Sequence, residues 1–285
     1  VNARAALSEG TGALGKSCPG SPFLDAALLL GFSMNLDKER LLASMPDEVP
    51  PASLAVYRSC VSRRASGEPV AYIVGSKEFY GRLFRVDRRV LIPRPDTELL
   101  VEVALSLLPP VGETQRLRCH DAFTGSGCVG VTIAAQRPDV ELSLSDASVE
   151  ALELARVNAR AILGRDLDIR QGSILSAAVG VFNLIVANPP YVSSRLTDEI
   201  ALRGEGEPRA ALDGGALGLD LYPAIVEQTM GLLVDGGALA VEIGEEQGRA
   251  VKEMFWSVGY INVAVHKDLA GHDRVVSGVK HAVRR

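Results

Sequence analysis

Asn188-Pro189-Pro190-Tyr191 is the stretch of this chain best equipped for chemistry. It follows the apolar run Phe182-Asn183-Leu184-Ile185-Val186-Ala187, which reads as a central strand. Two consecutive prolines cannot continue a sheet ladder, so the strand must stop there, at the edge where ligands bind. Asn188 offers a side-chain carbonyl, Pro189 a backbone carbonyl stiffened by fixed φ angles, and Tyr191 a flat ring. Two acceptors and a ring suit a planar NH₂ group. The nitrogen of such a group is a poor nucleophile because its lone pair is delocalised. Hydrogen bonds from both of its N–H groups to Asn188 and Pro189 would orient it and support the positive charge that develops during attack. In-line placement against a sulfonium methyl is worth up to roughly 7–11 kcal/mol, more than the roughly 10²- to 10⁴-fold of a general base alone.

A glycine loop lies upstream, in the segment Asp121-Ala122-Phe123-Thr124-Gly125-Ser126-Gly127-Cys128-Val129-Gly130. Gly125, Gly127 and Gly130 match G-x-G-x-x-G, and Asp146 follows Gly127 by 19 residues. Spacing alone admits a dinucleotide. Glycine lets a ligand approach the backbone, and an acid after the second strand accepts from two ribose hydroxyls. Asp121 separates the cofactors by charge: its carboxylate suits a cationic α-amino group and repels a pyrophosphate. This favours S-adenosylmethionine over NAD.

These loops require a parallel sheet to position them. Strand candidates are Leu117 to Phe123, Val140 to Leu144, Leu167 to Arg170, Phe182 to Ala187, Ala238 to Ile243, Ile261 to His266 and Arg274 to Val279, with helices between most of them. After Asp146, a helix with Leu152, Ala155, Ala159 and Ile162 on one face ends at Gly164. Alternation of this kind predicts an α/β fold with helices on both faces and ligands at the carboxyl ends of the strands. Gly271, between the last two strands, predicts an antiparallel edge hairpin.

Ahead of the sheet, short helices are expected. Ser21 would cap a helix opened by Pro22, with Leu24, Leu28 and Leu29 as its buried stripe and Gly31 as its left-handed stop. A second helix runs around Leu36 to Ala43, and a third from about Ala52 places Leu54, Tyr57 and Val61 on one face. Alternation of Phe84, Val86 and Val90 with Arg85, Asp87 and Arg89 predicts a hairpin linker turning at Gly81. Lys77, Arg82, Arg85, Arg88, Arg89 and Arg94 make this linker locally basic, either as a solvated face or as a surface touching RNA.

Composition narrows the classes further. The 285 residues suggest roughly two domains, and 47% hydrophobic with 23% charged residues excludes a disordered or fibrous chain. A net charge of −5 disfavours a nucleic-acid substrate. Cys18, Cys60, Cys119 and Cys128 form no C-x-x-C pair, and His120 does not recur at metal-ligand spacing, so reduced thiols and no metal are expected. The longest apolar run, Ala26 to Phe32, is too short to span a bilayer, and Val1 to Gly20 lacks the pattern of a secretory signal. A cytoplasmic location is the expectation.

With these motifs on one chain, the sequence resembles the class I S-adenosylmethionine-dependent methyltransferases, and within them the HemK/PrmC family of protein N5-glutamine methyltransferases. The resemblance also rests on Gly67-Glu68-Pro69-Val70-Ala71-Tyr72-Ile73-Val74-Gly75, Glu78-Phe79-Tyr80-Gly81, Leu91-Ile92-Pro93-Arg94-Pro95-Asp96-Thr97-Glu98, Glu207-Pro208-Arg209-Ala210-Ala211-Leu212 and Asp273-Arg274-Val275-Val276. It implies a Rossmann-like seven-stranded sheet with a small N-terminal helical domain: residues 1–75 for substrate recognition, 76–95 as hairpin linker and 96–285 as the catalytic domain. It also implies methylation of the glutamine in the Gly-Gly-Gln motif of class 1 peptide chain release factors, leaving S-adenosylhomocysteine, with no direct nucleic-acid substrate and no membrane partner. Carried over by residue, Phe123, Thr124, Gly125, Ser126 and Gly127 surround the methionine part, and Asp146 holds the ribose. Ser173 and Ile174 lie beside adenine, Asn188 borders both ligands, and Asn188, Pro189, Pro190 and Tyr191 hold the glutamine.

Two positions depart from the family pattern. Phe123 stands where glycine is usual, and Ser173-Ile174 replaces an acidic-aromatic pair, which bears on cofactor affinity rather than reaction type. Other readings of the residues are a different protein glutamine, such as one in a ribosomal protein, adenine-N6 methylation, a noncatalytic binding module, and an NAD-dependent oxidoreductase.

Overall fold

The computed structural model describes residues 1–15, 17, 20–111, 116–202 and 206–282. The chain divides into two units, Val1–Ser76 with Glu199–Gly206, and Lys77–Asp198 with Glu207–Arg285. Cys18 lies outside the described residues; Cys60, Cys119 and Cys128 are buried free thiols.

The first unit is helical: α1 (Ala3–Leu14), α2 (Pro22–Met34), α3 (Lys38–Ala43), α4 (Pro51–Ala65) and α5 (Val70–Val74). Its core joins Leu7 and Leu14 of α1, Leu29 and Leu30 of α2, and Tyr57 and Val61 of α4. Gly10 in α1 makes room for Tyr57, whose hydroxyl would lie 1.9 Å from a Cβ at that position.

The α2 helix corrects three expectations. Its stripe is Ala26, Leu29 and Leu30, whereas Leu24 and Leu28 are about half exposed. Gly31 does not end it; the helix runs on to Met34 and stops at left-handed Asn35 (φ 53°), while Gly31 lies inside because a Cβ would press on the Leu36 carbonyl at 3.0 Å. The Ser21 hydroxyl caps no backbone N–H and donates instead to Asp25 at 3.2 Å.

In the second unit, β1 (Ser76–Phe79) and β2 (Arg82–Arg85) form a hairpin. Tyr80 and Gly81 both take positive φ (51° and 71°), the turn geometry that matches strand twist. The ladder is shorter than the alternation suggests: β2 ends at Arg85, and Val86 and Val90 are buried from a loop closed by the Val90 N–H on the Asp87 carbonyl. The basic cluster is partly neutralised, since Arg89 pairs with Asp87 and Glu153, and Arg94 with Glu207.

The chain continues through α6 (Glu98–Leu107), β3 (Leu117–Ala122), α7 (Cys128–Gln136), β4 (Val140–Asp146), α8 (Val149–Leu163), β5 (Asp168–Gln171) and β6 (Phe182–Ala187). It ends with α9 (Ser194–Leu202), α10 (Tyr222–Leu232), β7 (Leu233–Glu242), α11 (Gly248–Val258), β8 (Tyr260–Lys267) and β9 (Asp273–Lys280). The seven-stranded sheet has the order β5-β4-β3-β6-β7-β9-β8. Strands β3 to β7 run parallel, and β9 is antiparallel to both neighbours. The final hairpin is therefore not simply appended, because β9 inserts between β7 and β8. Apolar clusters cover both faces of the sheet.

Strand order reverses between β3 and β6. The chain steps from β3 outward to β4 and β5, then returns to the other side of β3, which opens a crevice at the carboxyl ends of β3 and β6. Ala122 pairs in register with Ala187, so the glycine loop and Asn188 leave the sheet side by side.

Candidate active site

The glycine loop is shaped by backbone conformation. Gly125 (φ 53°) and Gly127 (φ 83°) are left-handed, and a Cβ on Gly125 would meet nothing within 4 Å. Open space over a glycine is what an approaching ligand needs. Gly130 instead serves packing: a Cβ there would lie 2.7 Å from Leu144 and 2.8 Å from Asp121. Phe123 is also left-handed (φ 60°), at the position where the resemblance expects glycine, which costs about 1–2 kcal/mol. Ile174 does the same (φ 55°), although a β-branched residue rarely does. Both pack partly against the same apolar cluster. Ser173 is exposed.

Asp121 braces the loop through one of its carboxyl oxygens. It is 1% exposed, and its Oδ2 accepts from the Thr124 hydroxyl at 2.6 Å and the Gly130 N–H at 2.9 Å. Burial pushes its carboxyl up to about 7 against the pull of these two bonds. Asp146 accepts the Gly125 N–H on Oδ2 and the Ser148 N–H on Oδ1, both at 2.9 Å. Each oxygen keeps a lone pair for another donor. Ser126 and Thr124 are buried within the loop. Buried Asn158 of α8 ties the loop to the hairpin, donating to the Ser126 carbonyl at 2.8 Å and the Arg85 carbonyl at 3.0 Å and accepting from the Arg85 N–H at 2.8 Å.

Beside it, Asn188 donates through Nδ2 to the Thr97 hydroxyl at 3.5 Å. Among the described residues no donor reaches Asn188 Oδ1 or the Pro189 carbonyl. The Tyr191 hydroxyl donates to Glu242 Oε1 at 3.2 Å, and burial and the Glu242 charge raise its pKa. Glu242 ends β7, is 1% exposed, and has a carboxyl raised by burial to about 7.

The loop backbone is clamped from outside. Val192 N–H donates to the Leu212 carbonyl at 2.9 Å, Gly214 N–H to the Val192 carbonyl at 2.8 Å, and Gln247 Nε2 to the Tyr191 carbonyl at 3.0 Å. A Cβ on Gly218 would lie 2.0 Å from the Tyr191 carbonyl. Glu207 accepts the Ile92 N–H at 3.0 Å and pairs with Arg94, joining two segments more than a hundred residues apart.

Sequence reasoning missed Thr97, Asn158, Glu242 and Gln247. Glu242 carried a signal, an acid that closes the apolar run Ala238–Val241. Asn158 carried another, a polar residue beside the apolar face of α8.

A seven-stranded sheet with β9 inserted antiparallel, and a glycine loop and a proline-stopped strand at its switch point, defines a Rossmann-like class I methyltransferase. A methyltransferase structure from Pyrococcus furiosus shares this fold, with a TM-score of 0.53 at 18% identity over 72% of this chain and 92% of that one. Family models described as PrmC N-terminal domain and Methyltransferase small domain match residues 5–75 and 98–203. The release factor glutamine methyltransferase of Moorella thermoacetica is 39% identical, over 95% of this chain and 96% of that protein. That of Cereibacter sphaeroides is 39% identical over 89% of each. The chain belongs to the release factor glutamine methyltransferase family.

Proposed function

We propose that this protein methylates the side-chain nitrogen of the glutamine in the Gly-Gly-Gln motif of class 1 release factors, using S-adenosylmethionine. The observation that carries this reading is the pair of acceptors that no donor among the described residues reaches, Asn188 Oδ1 and the Pro189 carbonyl, beside the ring of Tyr191. A carboxamide NH₂ has the two donors that match them. S-adenosylmethionine supplies an electrophilic methyl on a sulfonium. The open face of Gly125 and the spare lone pairs of Asp146 fit its amino-acid and ribose parts, with Phe123, Thr124, Ser126, Gly127, Ser173 and Ile174 around them. Asp121 acts from beneath by holding the loop.

Asn188 and Pro189 orient the amide and favour the charge that grows on nitrogen as the N–CH₃ bond forms. The amide then releases one proton, and S-adenosylhomocysteine is the other product. The helical unit, matched at residues 5–75, serves substrate recognition, with the 76–95 hairpin as linker. No helix among the described residues is long and apolar enough to cross a membrane, which is compatible with work in the cytoplasm.

Incubation of a class 1 release factor with enzyme and S-adenosylmethionine, followed by peptide mass spectrometry, tests the reading. One methyl on the glutamine of Gly-Gly-Gln is expected. A methyl placed elsewhere, or none, contradicts it.

A further inference from the structure

The two prolines that follow β6 leave the Asn188 loop without a ladder to follow. Pro189 and Pro190 have no N–H to donate, and among the described residues no donor reaches the carbonyl of either. Just past them, the Tyr191 carbonyl accepts from Gln247 Nε2 at 3.0 Å. The same nitrogen lies 3.1 Å from the Gly218 carbonyl and 3.3 Å from that of Leu217, so its two N–H groups are shared among three acceptors. A Cβ on Gly218 would lie 2.7 Å from Gln247 Nε2, and glycine there lets the chain close on the carboxamide.

Gln247 is itself fixed at the start of α11. Its Oε1 accepts from the Gly244 N–H at 2.9 Å, its own N–H donates to the Gly244 carbonyl at 3.0 Å, and Val251 and Phe255 bury the helix it opens. Because Oε1 already has its donor, the carboxamide meets Tyr191 with its NH₂. From the other side, the Tyr191 hydroxyl donates to Glu242 Oε1 at 3.2 Å, so the end of β7 and the start of α11 hold one residue by its ring and by its backbone. The segment before it is stiff: the rings fix φ at Pro189 and Pro190, and Asn188 and Pro189, each preceding a proline, are restricted in ψ. The place of Tyr191 therefore decides where the Pro189 carbonyl points.

We propose that Gln247 is a positioning residue for methyl transfer: by holding the Tyr191 carbonyl it sets the direction of the Pro189 carbonyl and keeps that acceptor paired with Asn188 Oδ1. The consequence for catalysis rests on the glutamine-methylation reading; the mount itself does not. The glycine loop has its own braces in Asp121, Asp146 and Asn158, so cofactor binding does not depend on Gln247.

The test compares wild type with Gln247→Glu, Gln247→Ala and Val251→Ala on a Gly-Gly-Gln release factor peptide. Gln247→Glu keeps the shape and the acceptor for Gly244 but has no NH₂. It is expected to lower kcat by about 10- to 10²-fold while the KM for S-adenosylmethionine and stabilisation by S-adenosylhomocysteine stay at wild-type values. Gln247→Ala does the same without an added charge. Val251→Ala loosens the same helix from its buried face and is expected to lower Tm with kcat unchanged. Wild-type kcat in both Gln247 variants, loss of cofactor stabilisation along with kcat, or an equal loss of kcat in Val251→Ala would overturn the proposal. Carbonyl ¹³C NMR of Pro189 reads the mount without turnover: its signal moves in Gln247→Ala, and an unchanged signal overturns the proposal. If wild type methylates no peptide while that signal moves, the substrate reading fails and the mount stands.

Discussion

The two loops of the site leave neighbouring strands, and each stands on a buried carboxyl raised to about 7. Under the glycine loop, one Asp121 oxygen gathers the Thr124 hydroxyl and the Gly130 N–H, the latter a main-chain donor. Under the Asn188 loop, one Glu242 oxygen takes the hydroxyl of Tyr191, a side chain. Asp121 thus braces a backbone path, and Glu242 holds the Tyr191 side chain.

The comparison is broken most severely by removing the outward acceptor. Asn188→Ala is expected to cost about 10²- to 10³-fold in kcat while leaving stabilisation by S-adenosylhomocysteine intact. Steady-state kinetics and thermal shift check the two halves. Loss of cofactor binding along with activity would mean that the loops are not separable.

The next largest effect is on stability against pH. The ordinary values are 3.8 for Asp121 and 4.5 for Glu242, so between about 4 and 7 the folded chain holds protons that the unfolded chain has released. Stability from these groups is present at the acid end and falls as pH rises to about 7. Relative to Asp121→Asn, wild type should lose up to about 1.4 kcal/mol per pH unit across that window in denaturant titrations. A flat difference would show that Asp121 is ionised throughout.

A smaller effect sharpens the contrast within the glycine loop. Phe123→Gly relieves about 1–2 kcal/mol of left-handed strain, offset by glycine's extra unfolded-state entropy and by lost packing. Little change in Tm and tighter S-adenosylhomocysteine binding are expected by calorimetry. Weaker binding would assign the phenylalanine ring a contact with the cofactor.

The smallest concerns a buried oxygen outside the site. Among the described residues the Tyr57 hydroxyl has no hydrogen-bond partner. Tyr57→Phe is expected to stay within about 0.5 kcal/mol of wild type or to be slightly more stable in chemical denaturation. A larger loss would show that this hydroxyl is satisfied in solution.

Much of this architecture was legible in the sequence because β6 is a nearly continuous apolar run stopped by Pro189, and β4 alternates Val140, Leu142 and Leu144 with polar residues before Asp146. Phe182–Ala187 is found as expected, and the glycine loop and Asn188 fall at the switch point. What escaped depends on contacts between distant segments. Nothing local says that Thr97 meets Asn188 across about ninety residues, or that β9 inserts beside β7. In α2, apolar residues exceed what one face needs, so periodicity alone selected Leu24 and Leu28 where packing chose Ala26 and Leu30. The charge of Asp121 is legible in the sequence, whereas its bond from the Gly130 N–H, nine residues away, is not.

In the proposed site two acceptors, Asn188 Oδ1 and the Pro189 carbonyl, select an amide. Binding of a Gly-Gly-Gln release factor peptide and its Gly-Gly-Glu counterpart, each to the enzyme loaded with S-adenosylhomocysteine, tests it most directly. The glutamine peptide should bind saturably and the glutamate peptide should not, because a carboxylate brings no donor to Asn188 and Pro189. Equal affinity for the two would contradict the account.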